Sequence, residues 1–196
     1  MTLRRLVTVA FCVTLVPALL SACAVASSPT VSLSADQFWS GFGTVSAAEV
    51  DPAENLDELV SRSTLIVSGS IADLTEGPVD VYDLDEGEVS KPSTILTVDV
   101  SRVVAGTAEG EVRIWLSQEN PSLPGVESLP PQEFLWFLRP SDTPGLYHTT
   151  TLAGVIGADS TGVLVTFRDR SAGESIIPPG TRELSELEDL VAEARA

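Results

Sequence analysis

Alternating apolar and polar residues dominate the middle of the chain and predict β-strands. The clearest alternation covers residues 94–104, where Leu96 and Val98 fall on one face. A turn with two glycines at 105–110 leads into a second alternating run at 111–117. Two such runs joined by a short glycine-containing turn predict a hairpin with one buried and one solvated face.

Other apolar runs predict further strands. Residues 134–138 are apolar on both faces, which predicts a strand in the middle of the core. Residues 64–71 form another strand, in which Gly69 marks a bulge or a close approach of two backbones. The remaining strands are expected at 146–152, 154–157 and 163–167.

Helix signals flank these strands. Asp51 as N-cap, Pro52 at the first helical position and Glu54 at the third predict a short helix that ends near Arg62. Thr181 is placed to cap a final helix. The apolar stripe of that helix is Leu184, Leu187, Leu190, Val191 and Ala194.

This order of elements predicts a single mainly β domain at 51–196. Short strands between turns, with one helix on each side, favour a small antiparallel barrel or sandwich of six or seven strands. Two stretches interrupt the strands. Residues 73–91 carry seven acids among turn formers and predict a long acidic loop, and residues 118–132 are rich in proline and predict a second loop.

The first 22 residues have the pattern of a secretory signal peptide. Arg4 and Arg5 precede a mostly apolar run at 6–20, and no acid occurs before position 23. The run of about 15 residues is shorter than the roughly 20 that a membrane-spanning helix needs. We therefore expect cleavage rather than a membrane span.

The end of this segment, Leu20-Ser21-Ala22-Cys23, resembles the lipobox of bacterial lipoproteins. The resemblance implies that the Cys23 thiol receives a diacylglyceryl group and becomes the mature N-terminus. Two acyl chains hold a protein on a bilayer far more firmly than one chain does. The implied location is the extracytoplasmic face of the cell membrane. An ordinary secretion signal, with Cys23 incidental, is the alternative.

Residues 23–50 are rich in Ser, Thr, Ala and Val without a sustained period, which is typical of a flexible tether. Phe38, Trp39 and Phe42 are out of place in a solvated linker, because exposed aromatic side chains forgo roughly 1.5 to 3 kcal/mol each. We expect this cluster to dock on the domain itself, with a membrane interface or a partner surface as the alternatives.

The net charge limits the possible partners, and the cysteine content limits the possible sources of stability. The 11 basic residues lose Arg4 and Arg5 with the signal peptide, which leaves nine against 28 acids and a formal net charge of −19. Such a surface repels nucleic acid, so we expect no nucleic-acid partner. Once Cys12 is removed, Cys23 is the only thiol, so stability must come from an apolar core.

The sequence contains few candidate catalytic or metal-binding residues. The only histidine, His148, lies on a predicted strand, and no Gly-x-Ser-x-Gly motif accompanies it. Asp80, Asp83 and Asp85 are hard oxygen ligands beside Gly87 and form a weak candidate for calcium, although the EF-hand pattern is not met. A merely solvated acidic loop is the other interpretation. We expect no cofactor.

The order of the strand motifs resembles a group of small uncharacterised exported bacterial proteins with OB-like barrels. The resemblance covers residues 65–157 and brings no catalytic residues with it. The motifs are Leu-Ile-Val-Ser-Gly at 65–69, Arg-Val-Val-Ala-Gly at 102–106, Gly-Glu-Val-Arg-Ile at 110–114, Phe-Leu-Trp-Phe-Leu at 134–138 and Gly-Leu-Tyr at 145–147.

Three functional hypotheses follow. The first is a lipid-anchored, non-enzymatic module that binds another envelope protein through the loops at 73–91 and 118–132. The second is an extracytoplasmic hydrolase that uses His148 or acidic residues. The third is a protease-inhibitor-like barrel, but such barrels use a free N-terminal cysteine amine, which an acylated Cys23 does not offer.

Overall fold

The structure is a computed structural model that describes residues 32–42, 52–84, 87–117, 128–168 and 176–195. Within these ranges the strands outnumber the helices, as the alternation of the sequence predicts. In chain order the elements are α1 (Ala35–Ser40), α2 (Leu56–Arg62), β1 (Leu65–Glu76), β2 (Asp80–Leu84), β3 (Gly87–Lys91), β4 (Ser93–Ala105), β5 (Glu111–Ser117), β6 (Glu133–Pro140), β7 (Leu146–Thr149), β8 (Val155–Ala158), β9 (Leu164–Thr166) and α3 (Leu184–Ala194).

Seven of the strands form one sheet in the order β1-β4-β5-β7-β6-β8-β9, and β1 also pairs with β6. The pairings therefore form a circuit from β1 through β4, β5, β7 and β6 back to β1. A circuit of five strands cannot be antiparallel throughout. Strand direction would have to reverse at each of five pairings, and an odd number of reversals does not return to the starting direction. The parallel pair is β5 with β7. The predicted mainly β fold with flanking helices is confirmed, and the expectation of a purely antiparallel arrangement is wrong.

The apolar strand β6 lies at the centre of the sheet. Each residue from Phe134 to Leu138 is fully buried. Phe134, Trp136 and Leu138 face an inner core, while Leu135 and Phe137 face an outer core covered by α2 and α3. The prediction of a central strand buried on both faces is confirmed.

Strand β1 holds the circuit together because it pairs with both β4 and β6. Its register against β4 shifts between Ser68 and Gly69. A Cβ atom at Gly69 would lie 2.2 Å from the carbonyl oxygen of Asp99, so only glycine permits this approach. The Gly69 carbonyl also accepts a hydrogen bond from Trp136 Nε1 at 3.1 Å. The predicted close approach at Gly69 is confirmed.

The prediction of a long acidic loop at 73–91 is wrong for the described residues. β1 continues to Glu76, the Gly77 amide donates to the Ser93 carbonyl at 2.9 Å, and β2 then pairs with β3 as a second, two-stranded sheet. We call residues 77–92 the β2–β3 arm. Both strands contain residues that favour β structure, Val81 and Tyr82 in β2 and Val89 in β3, a signal that the high acid count obscured.

Both helix starts differ from the prediction. α2 begins after Asn55, whose side-chain oxygen accepts the Glu58 amide at 2.9 Å, so Asn55 is the N-cap and the helix starts later than Asp51-Pro52 indicates. Asp51 lies outside the described residues. α3 starts after Glu183 rather than Thr181, because the Glu186 carboxylate accepts the backbone amides of residues 182 and 183.

A polar contact fixes α3 on the sheet. Glu188 is only 7% exposed and accepts hydrogen bonds from the Ser68 hydroxyl and, at 2.6 Å, from Arg102 Nη1. Its neighbour Asp189 accepts from Arg102 Nη2 at 3.3 Å, but its side chain is 76% exposed. Glu188 therefore joins α3 to β1 and β4 through a largely buried carboxylate.

This contact predicts unequal effects for two adjacent acids. Glu188→Ala leaves the buried Ser68 hydroxyl without its acceptor and should lower the free energy of unfolding by about 2 kcal/mol. Asp189→Ala removes only a solvent-screened contact with Arg102 and should cost less than about 0.5 kcal/mol. Urea unfolding of both variants measures the difference. Equal losses would contradict a special role for the buried carboxylate.

Candidate functional site

Helix α1 forms inside the stretch that the sequence assigns to a tether. The Ser34 hydroxyl accepts the Gln37 amide at 3.3 Å, and the Gln37 side chain accepts the Ser34 amide at 3.0 Å. This reciprocal pair is a capping box, which satisfies two of the amides that a helix start leaves open. Gly41 ends the helix, and its amide donates to the carbonyl of Phe38 at 3.0 Å.

The aromatic residues of this segment enter the inner core. Phe38, Trp39 and Phe42 are 1%, 4% and 6% exposed, and we call these three side chains the aromatic plug. The Trp39 ring lies 6.0 Å from the rings of both Phe134 and Trp136, centroid to centroid. It also stacks on Phe167 at 6.1 Å. Trp39 thus completes the core between β6 and the end of β9.

Residues 32–42 therefore belong to the folded domain, which corrects two predicted boundaries. The domain does not start at 51, and the stretch 23–50 is not a tether throughout, because its aromatic side chains are more stable in the core than in water. The expected docking of the cluster on the domain itself is confirmed. Residues 23–31 and 43–50 of the predicted tether lie outside the described residues.

Hydrogen bonds hold α1 at one end of the sheet. The Ser32 hydroxyl donates to the Leu129 carbonyl at 2.7 Å, and the Leu33 amide donates to the carbonyl of Ser128 at 3.3 Å. On the other side the Ser160 amide donates to the Asp36 carboxylate at 3.0 Å. These bonds connect α1 to the segment before β6 and to the turn between β8 and β9.

Asp159 orders the turn that contacts α1. Its Oδ1 accepts hydrogen bonds from the Thr161 hydroxyl at 2.6 Å, the Thr161 amide at 2.8 Å and the Val163 amide at 3.0 Å. The Thr161 hydroxyl, together with these backbone amides, holds the pKa of Asp159 below its usual value. The turn is therefore best ordered when Asp159 is ionised.

One buried polar atom of the aromatic plug makes no hydrogen bond among the described residues. Among the described residues, Trp39 Nε1 is buried and has no hydrogen-bond partner. A buried donor without an acceptor costs about 1 to 3 kcal/mol. The plug is held by ring packing and by the backbone contacts of α1 rather than by a hydrogen bond from the indole N–H.

His148 does not meet the partners that nucleophilic catalysis requires. Its ring stacks on Trp115 at 5.3 Å between centroids, and its Nδ1 lies 3.3 Å from the Trp115 carbonyl oxygen. Within the part of the chain that the structure describes, its contacts include neither a serine hydroxyl nor a carboxylate. The prediction that His148 lies on a strand is confirmed, since it falls in β7.

The acidic candidates for calcium fall on the β2–β3 arm. Asp80 and Asp83 lie in β2, whereas Asp85 is outside the described residues. Over the described ranges, no group of three or more His, Cys, Asp or Glu residues is arranged to hold a metal ion. Calcium binding by these aspartates stays a prediction. So does acylation of Cys23, which is also outside the described ranges.

The β2–β3 arm carries three of the six exposed large apolar side chains among the described residues. Val79 and Val81 are 61% and 58% exposed, and Val89 is 39% exposed. Among the described residues the arm pairs as two strands only, so each strand has an outer edge that no other described strand pairs. Exposed valines next to open strand edges are typical of a surface that another chain covers.

A concave surface lies between α2 and α3. It is a groove of about 450 Å³ lined by both apolar and polar residues. Its lining residues include Leu56, Ile176, Pro178 and Leu190, with Asn55, Asp57 and Glu193 beside them. Its side chains bring together no nucleophile and base.

Within the described ranges every helix is too short or too polar to cross a bilayer. The chain has no match among protein-family profiles, curated proteins or solved structures. The assignment of a function therefore depends on the residues of this chain alone.

The burial of Trp39 generates a test of the corrected domain boundary. Trp39→Ala should lower the free energy of unfolding by about 3 to 5 kcal/mol, because it leaves a cavity against Phe134, Trp136 and Phe167. Trp39→Phe keeps a ring in place and has no indole hydrogen bond to lose, so about 1 to 2 kcal/mol is expected. Thermal and urea unfolding measure both. Wild-type stability of both variants would mean that residues 32–42 are a dispensable tether.

Proposed function

We propose that this chain is a bacterial lipoprotein, acylated on Cys23 and held at the extracytoplasmic face of the cell membrane, whose β domain is a non-enzymatic binding module. The lipobox-like Leu20-Ser21-Ala22-Cys23 behind a signal-peptide pattern supports the anchor. The β2–β3 arm is the single observation that carries the binding role.

We infer that the five-strand circuit is a small OB-like barrel. The closed order of pairings supports this, since an OB-fold is a five-stranded barrel. The inner core of β1, β4, β5, β6 and β7 side chains fits a filled interior rather than a channel. In such barrels the loops and the outer sheet face carry the binding function.

The arm supports a partner with basic and apolar groups. Residues 77–92 contain five acids and one lysine, so the arm attracts cations, while the exposed Val79 and Val81 offer apolar contact area. An open edge of β2 or β3 allows a strand of the partner to add to the arm through backbone hydrogen bonds. The partner we propose is an envelope protein with a basic, extended segment.

The two rival functions have less support. A hydrolase using His148 would need that ring to leave its stack on Trp115 and meet a nucleophile. A protease-inhibitor-like barrel would need a free cysteine amine, which the proposed acylation removes. No observation on the described residues supports either of these two functions.

The anchor has a direct test with a matched control in the same chain. In a bacterial host that processes lipoproteins, Cys23→Ser should abolish the diacylglyceryl mass and move the protein from the detergent phase to the aqueous phase. Cys12→Ser lies in the segment that is cut away and should change neither result. Mass spectrometry that finds an unmodified Cys23 in the wild-type product would contradict the proposal.

A second matched pair of variants tests the binding role of the arm. Val81 and Val163 are both 58% exposed, but only Val81 lies on the arm. With a photo-cross-linker at Ser90, Val81→Ser should reduce the yield of the cross-linked partner about fivefold, as the loss of about 1 kcal/mol of contact predicts. Val163→Ser should leave the yield unchanged. Equal yields in both variants would remove the arm as the binding surface.

A further inference from the structure

The position of α1 limits how far the domain stands from its anchor. Ser32 and Leu33 are bonded to residues 128 and 129, so free chain between Cys23 and the domain is at most nine peptide units. Fully extended, nine units span about 30 Å. If the chain were free as far as Val50, the limit would be about 90 Å. Docking of the aromatic plug therefore shortens the reach of the tether about threefold.

The register of the strands shows which end of the domain carries α1. Glu133 at the start of β6 pairs with Ser70, and Leu138 near its end pairs with Leu65. α1 contacts the residues before Glu133 and the turn between β8 and β9, so it lies at the Ser70 end. The distance along β1 from Ser70 to Leu65 is about 17 Å. The turn between β4 and β5 lies at the other end, because Ala105 pairs with Ile66.

The β2–β3 arm leaves the sheet from the same end as α1. β1 passes Ser70 and continues to Glu76, where the arm begins, and β4 returns from the arm at Ser93. The tether and the arm thus share one end of the domain, while the β4–β5 turn lies at the opposite end. The net charge of −19 gives the domain no attraction to anionic lipid, so the tether rather than charge sets its distance.

We propose that the domain stands with its α1 end towards the bilayer, at most about 30 Å away, and that the β2–β3 arm works in the gap between domain and lipid. The inference rests on the proposed anchor at Cys23. Its consequence is that the partner of the arm presents its basic segment within about 30 Å of the bilayer surface.

Three single-cysteine variants of the full chain test the orientation. Ser160→Cys labels the α1 end, Ser90→Cys the arm and Thr107→Cys the opposite end, and all three residues are exposed. The new cysteine is the only free thiol of the acylated protein, because Cys12 leaves with the signal peptide and the sulfur of Cys23 is alkylated. A donor dye on each is combined with an acceptor dye on lipid headgroups in phosphatidylcholine vesicles.

Energy transfer to the headgroups should be at least about twofold more efficient from positions 160 and 90 than from position 107, because the two ends differ by about 17 Å. Equal transfer from all three, or greatest transfer from position 107, overturns the orientation. Mass spectrometry of the same samples separates the two proposals. A missing diacylglyceryl group overturns the anchor itself, whereas an acylated protein with the wrong order of transfer overturns only the orientation.

A variant with a longer tether tests whether the short tether causes the orientation of the domain. Insertion of about 20 Gly and Ser residues after Ser28 lets the domain turn freely, so the difference between positions 160 and 107 should largely disappear. The aromatic plug is untouched, so the fold is unchanged. A difference that persists in full would show that tether length does not orient the domain, and it would overturn the proposed mechanism.

Discussion

The packing of Trp39 against Phe134, Trp136 and Phe167 is the interaction on which the rest of this structure depends. It joins a segment from the N-terminal side of the chain to the central strand β6 and to the end of β9. Without these aromatic side chains, the inner core would be open at the end where β6 begins. The domain therefore includes residues 32–42, and the anchor that we propose at Cys23 is joined to the core by a short connection.

A second constraint comes from the five-strand circuit. An odd number of strands requires one parallel pair, and the chain meets this requirement by placing β7 between β5 and β6. β1 closes the circuit by pairing on both sides, which brings its backbone so near to Asp99 that position 69 has no room for a Cβ atom. The outer core of α2 and α3 then covers the face of β1 and β6 that the circuit leaves outside.

The sequence predicts those elements whose burial is one-sided or complete. The β4–β5 hairpin follows from alternation, and β6 follows from five consecutive apolar residues. The arm was missed because its acids suggest a loop, although valines recur at positions 79, 81 and 89. α1 was missed because six residues are too few for a helical period, and only the capping box at Ser34 and Gln37 marks it. The parallel pairing of β5 and β7 has no local signal at all, since it follows from closure of the circuit.

The central claim, that residues 32–42 are an integral part of the domain, is tested most directly by native-state hydrogen exchange. The amides of Phe38 and Phe42 donate to the carbonyls of Ser34 and Trp39. If the aromatic plug is part of the core, the Phe38 and Phe42 amides should exchange with protection that approaches that of β6, because opening them exposes the inner core. Exchange of these amides at the rate of an unstructured peptide, while β6 stays protected, would contradict the account.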